Sequence, residues 1–248
     1  RDARMTAPRT AVMGQQGTSL FVSALSVQRG AVQLFDVSFE VKPLELHGLL
    51  APRGAGKTLL LEAMAGLVFS HGDVLLGGVP LDAEERRHHV FHVPDAIAFA
   101  AERARSVLRL AQRSLRVDNQ TIDDLVNSLA LREVLDERVH ELSPSAQKRL
   151  LVAVGLLVPR GFVLIDEPLA GLDVKEQRAL IRVLRLSTNE RRAILCATAS
   201  AADAERTFDR FTILAHGRVA ATGALHELRA RAGVHQGASL EEVVFALT

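Results

Sequence analysis

The sequence contains no tryptophan and no tyrosine, so its ten phenylalanines are the only benzenoid rings it can offer for stacking. It contains one cysteine, Cys196, set in an apolar run and expected to be a buried thiol. A single cysteine cannot close an internal disulfide, which fits a reducing compartment. Neither sign of charge dominates: 30 Lys+Arg face 29 Asp+Glu, a formal net charge of +1. No basic field calls for nucleic acid. The basic residues are mostly arginines scattered over predicted helices, where they read as solvated faces. No apolar run reaches the ~18 residues that crossing a membrane requires. The Arg-rich first residues lack the apolar core of a signal peptide.

What is present is a chain of 248 residues, long enough for one α/β domain with a small appendage and a sizeable core. Its most informative stretch is Leu46 to Leu61. Leu46 to Ala51 is apolar and reads as a buried strand, a turn with two glycines follows, and an apolar-rich segment from Lys57 to Gly66 reads as a helix. Strand, Gly-rich loop and helix are the layout of a P-loop. Glycines let successive N–H groups point inward around phosphate oxygens, and the following helix turns its positive end to the same anion. Arg53, Gly54, Ala55, Gly56, Lys57, Thr58 and Leu59 are the candidate phosphate-binding residues. Lys57 would reach the β- and γ-phosphates, and the Thr58 hydroxyl would ligate Mg²⁺. Ala51 stands where the G-x-x-x-x-G-K-[ST] pattern has its first glycine. If that position needs φ > 0, alanine meets a steric penalty there.

Residues 1 to 18 show little periodicity and read as a flexible tail, in which Met5 or Met13 is a candidate original start. Leu20 to Gln28 and the alternating Leu34 to Val41 read as strands, as do Asp73 to Leu76 before the Gly77-Gly78 turn and Val90 to Val93 before Pro94. These early strands suggest an antiparallel β subdomain. From Ala96 to about Arg138 apolar positions recur at helical spacing (Val107, Leu108, Ala111, Leu115, then Ile122, Leu125, Val126, Leu129), an inserted helical region. Ser143 reads as a helix N-cap with Pro144 at the first helical position.

Phe162 to Ile165 is a buried strand that ends in Asp166 and Glu167. In open α/β sheets ligands bind at that end of the strands. Asp166 would hold Mg²⁺, directly or through water, and Glu167 is placed to polarise an attacking water. A loop containing Asp173 leads to a helix from Lys175 to Leu186. Ala193 to Thr198 is another buried strand, Phe211 to Val219 a hairpin, and Leu225 to Ala232 and Leu240 to Leu247 are helical.

The set Pro52-Arg53-Gly54-Ala55-Gly56-Lys57-Thr58, Leu142-Ser143, Leu164-Ile165-Asp166-Glu167-Pro168 and Gly171-Leu172-Asp173 resembles the nucleotide-binding domain of ABC transporters, from about Leu20 to the end. The ending, Ser239 to Thr248, looks like the ATPase subunits of ABC-2-type exporters. The resemblance implies an α/β fold: a P-loop NTPase core with a parallel sheet, an antiparallel β subdomain and a helical subdomain (about 96–158), all within 19–248. It implies ATP and Mg²⁺ as ligands, and Glu167 as the catalytic carboxylate. It also implies two such domains, in a homodimer or a paralogous heterodimer, closing on two ATP molecules. Each ATP would lie between one P-loop and the other subunit's signature, here Leu142, Ser143 and Ser145. A membrane permease would be the partner, contacted near Asp95 and the helices to Leu115, with the chain peripheral on the cytoplasmic face.

The departures from the family cluster at nucleotide-contacting positions. Arg29 replaces the adenine-stacking aromatic, and Asp95 replaces the Q-loop glutamine, adding a charge and losing amide donors. Pro144 and Ser145 replace signature glycines, and Pro144 has no N–H. Ala199 occupies the switch position, where the family has histidine; His216 nearby reads as solvated. Phosphate and Mg²⁺ binding are expected to survive and hydrolysis to be slow. Two other readings are a nucleotide-binding structural or regulatory subunit with little turnover and a soluble P-loop kinase, against which Leu142-Ser143 and Gly171-Leu172-Asp173 speak.

Overall fold

The computed structural model describes residues 18–96, 102–189 and 192–248. The predicted tail, save Thr18, and the stretch 97–101 of the predicted helical region lie outside them.

Two sheets carry the fold. Strands β1 (Leu20–Arg29), β2 (Val32–Val41), β4 (His71–Leu76) and β5 (Val79–Pro80) form an antiparallel sheet in the order β2-β1-β4-β5. The second sheet runs β10-β9-β3-β8-β7-β6, with β3 (Leu46–Leu50), β6 (Val90–Val93), β7 (Phe162–Asp166), β8 (Ala193–Thr198), β9 (Arg210–Ala215) and β10 (Arg218–Gly223). All its pairings are parallel except β9 with β10.

Strands β3, β7 and β8 are buried at every residue, the mark of a sheet covered on both faces. Along β7, Phe162 and Leu164 enter the core beneath the antiparallel sheet, while Val163 and Ile165 enter the core beneath the helices. Cys196 on β8 is fully buried, and burial pushes its thiol far above the ordinary range.

One expectation is corrected. Val90–Val93 does not join the antiparallel strands; it pairs in parallel with β7, Val90 opposite Phe162 and Val93 opposite Ile165. Its register carries Asp95 to the C-terminal end of the parallel sheet. Two short helices escape the apolar periodicity, α2 (Ala83–His89) and α7 (Ala201–Thr207). Helix α2 has no apolar stripe, and a capping box starts it: Glu85 N–H donates to Asp82, and Asp82 N–H donates to Glu85.

Helices α1 (Lys57–Met64), α3 (Ala104–Leu115), α4 (Asn119–Ser128), α5 (Pro144–Leu157), α6 (Val174–Asn189), α8 (Leu225–Ala232) and α9 (Leu240–Leu247) are the other α-helices of the described residues, with 3-10 turns at Arg132–Val134 and Val139–Glu141. Pro144 opens α5 behind the Ser143 cap, whose Oγ accepts from Ala146 N–H at 3.2 Å. Gly155 lets α5 press on β6, because a Cβ there would overlap Val93 Cγ2. Gly155→Ala gains helix propensity of about 1 kcal/mol but overpacks this contact by about 1–3 kcal/mol. A lower urea midpoint is expected; an unchanged one would show that α5 and β6 separate freely.

Candidate active site

β3 delivers the chain into the loop at Ala51, and Lys57 opens α1. Gly54 (φ 79) and Gly56 (φ 93) hold the left-handed turns of the loop. At Gly56 a Cβ would also stand 3.0 Å from Val32 Cγ1 and 3.1 Å from Leu34 Cδ2. Both positions therefore need glycine. Ala51 does not: it is not among the positive-φ residues, so the steric penalty considered for it does not arise.

The side chains of Lys57, Thr58, Asp166 and Glu167 meet in one cleft of about 500 Å³, lined also by Arg53, Gly54, Gly56, Leu59, Arg29, Val32, Ala170 and Asp95. Ala55 is not among its lining residues. The Lys57 ammonium donates to Ala51 O (2.9 Å) and Pro52 O (3.2 Å) and stands 3.3 Å from Glu167 Oε1. Glu167 holds φ 47, a conformation that costs a non-glycine residue about 1–2 kcal/mol. Its N–H donates to Ala197 O at 2.9 Å, and its Oε2 accepts from Ala199 N–H at 3.4 Å. Arg29 Nη1 lies 2.7 Å from Glu62 on α1.

The Thr58 hydroxyl donates to Asp166 Oδ2. Burial pushes the Asp166 carboxyl above its usual range; the Thr58 bond pulls it down, the nearby Asp95 charge pushes it up, and Lys57 and Lys148 pull it down. The net upward shift means that ionised Asp166 costs stability at neutral pH, above its ordinary range. A divalent cation beside it would relieve that cost. One hydroxyl and one carboxylate oxygen, adjacent and hard, fit Mg²⁺.

The other predicted residues lie outside the lining of this cleft. Leu142 is buried, and Ser143 caps α5. The Ser145 hydroxyl donates to Glu176 Oε1 at 3.0 Å, and Arg149 Nη2 reaches the same oxygen at 3.0 Å. Asp173 accepts from Glu176 N–H at 2.8 Å and donates its own N–H to Glu176 Oε2 at 3.0 Å. One carboxylate thus ties the signature-like segment to the Asp173 loop within the chain. Ala199 is exposed and brings only its backbone N–H to Glu167. His216 is exposed in the β9–β10 turn, 3.4 Å from Thr248 O.

Sequence reasoning passed over Lys148 and Glu176. Lys148 and Arg149 stand beside Leu150 and Leu151 at buried positions of α5. Two adjacent cations in an otherwise apolar helix were the available signal.

Residues 34–170 match the family model described as ABC transporter. The Nod factor export ATP-binding protein I of Burkholderia orbicola is 32% identical over 200 residues, which are 77% of this chain and 66% of that protein. This chain therefore spans just under two thirds of that relative's length. The hemin import ATP-binding protein HmuV of Hahella chejuensis is 31% identical over 234 residues, 86% of this chain and 90% of that protein. A solved ATP-binding subunit of an ABC transporter superposes with a TM-score of 0.81 at 29% identity, covering 92% of this chain and 98% of its own.

Proposed function

The chain belongs to the ABC transporter family, and we propose that it is an ATP-binding subunit coupling nucleotide binding and slow hydrolysis to a separate membrane permease. The convergence of Lys57, Thr58, Asp166 and Glu167 in one cleft carries this reading. Loop N–H groups and Lys57 would bind the β- and γ-phosphates. Mg²⁺ beside Thr58 and Asp166 would supply charge neutralisation of the phosphate oxygens. Glu167 would take the proton of a water attacking the γ-phosphorus as the bond to ADP breaks, giving ADP and inorganic phosphate.

Slow turnover is proposed from three residues. Ala199 offers no side-chain donor, Pro144 no N–H and Asp95 no amide. Each lost preorganised contact is worth about 10²- to 10³-fold, though contacts that act together do not multiply. Ala199→His is expected to raise steady-state turnover by about tenfold or more; an unchanged rate would show that another group already serves the γ-phosphate.

The partners proposed are a permease, docking near Asp95 and the helices to Leu115, and a second ATP-binding domain, identical or paralogous. The chain would lie on the cytoplasmic face of the membrane; no described helix is long and apolar enough to cross it. We read 19–248 as the functional domain, with 1–18 a tail and about 96–158 the helical subdomain. The Nod factor relative supports export and the hemin relative import. ATP-driven flux in vesicles of known orientation decides the direction. Pro144 at N1 of the signature-like helix favours a second reading, a subunit that binds nucleotide and does not turn it over. Steady-state ATPase assay of the reconstituted complex tests both: a slow rate supports the first, and tight binding without a rate supports the second.

A further inference from the structure

We propose that Lys148 is a positioning residue that pairs with the Asp95 carboxylate in the cleft and so sets how much Mg²⁺ the nucleotide site requires. The proposal rests on the ATP-binding reading of the cleft. The Lys148 side chain is 7% exposed, and a buried cation persists only when paired. An ammonium has three donors. Here they face three acceptors: the Asp95 carboxylate, the Asp95 carbonyl at 2.7 Å and the Asp166 carbonyl at 3.5 Å. Lys148 therefore joins α5 to the residues following β6 and to the end of β7 that bears Asp166.

The Asp95 side chain itself is exposed, and it lines the same cleft as Thr58 and Asp166. Unpaired, its carboxylate would be a second hard anionic ligand beside Asp166, drawing Mg²⁺ into the cleft and repelling a triphosphate. Paired with Lys148 it adds no net charge. Removing Lys148 then makes the site more negative, and removing the Asp95 charge makes it more positive. The two changes must act in opposite directions on Mg²⁺, which loss of packing would not do.

The test uses the full chain and a fluorescent ATP analogue, with binding followed across a Mg²⁺ titration. Lys148→Met is expected to lower the Mg²⁺ concentration at half-maximal binding about fivefold, and Asp95→Asn to raise it about fivefold, the scale of one nearby charge in a partly hydrated site. The double variant is expected to return to within about twofold of the wild type. Shifts in the same direction, shifts below about twofold, or a double variant that keeps the shift of either single one overturn the proposal. If Lys148→Met does not fold, Asp95→Asn against the double variant reads the same sign. A wild-type chain that binds no nucleotide at any Mg²⁺ concentration overturns the ATP-binding reading and this proposal together. Mg²⁺-dependent binding that Lys148→Met leaves unchanged overturns this proposal alone.

Discussion

Replacing Glu167 with glutamine is expected to lower ATP turnover by about 10²- to 10³-fold while leaving Mg·ATP affinity nearly unchanged. Three features hold this carboxylate in place. The buried strand β7 ends beside it, its own N–H is fixed on Ala197 O at 2.9 Å, and its φ of 47 turns the chain sharply after Asp166. Such strain persists where the surroundings over-determine it, and it gathers at functional sites. Glutamine fills the same space and keeps an oxygen for Ala199 N–H, so the fold is retained. It cannot take a proton from water. Steady-state phosphate release by the two proteins measures the difference. Turnover unchanged by the substitution would place the base on another chain.

Replacing Lys57 with alanine is expected to weaken Mg·ATP binding on the order of 10²-fold, from about 3 kcal/mol for hydrogen bonds to a charged group. Lys57 is 7% exposed in its side chain, and all its close partners are oxygens: Ala51 O, Pro52 O and Glu167 Oε1. Truncation leaves those carbonyls without their donor and Glu167 without a neighbouring cation. The same ammonium must serve the phosphates, which carry more negative charge than Glu167 alone. Equilibrium binding of a fluorescent ATP analogue measures the loss. A decrease below about threefold would mean that the loop amides and the α1 N-terminus hold the phosphates unaided.

The parts of the fold legible in the sequence are those whose signal is local. β7 up to Asp166 and β8 are near-continuous apolar runs because both faces of their sheet are covered, and β3 keeps the pattern except at His47, which is buried against Glu45 and Thr212. The helical spacing of Val107, Leu108 and Ala111 foretells α3. The sheet that β6 joins was not legible. Four residues, Val90-Phe91-His92-Val93, state a strand and not its neighbour, and the crossover that places them contains α2, which has no apolar stripe.

The candidate site divides the same way. Lys57, Thr58, Asp166 and Glu167 stand in spacings that carry their chemistry with them. Lys148, beside Arg149, marks itself as a cation in an apolar helix but not its partners; those are Asp95 and the Asp166 carbonyl, 53 and 18 residues away. Ser145 was legible only as a replacement for a signature glycine, whereas its hydroxyl is bound within the chain to Glu176, 31 residues on.

Calorimetric titration of the purified chain with ATP, in Mg²⁺ and in a chelator, tests nucleotide binding most directly. Saturable binding in the micromolar range with Mg²⁺, weakened about tenfold or more without it, is the predicted result. No saturable binding at millimolar Mg·ATP would contradict it, and the cleft between Lys57 and Glu167 would then have to serve another ligand.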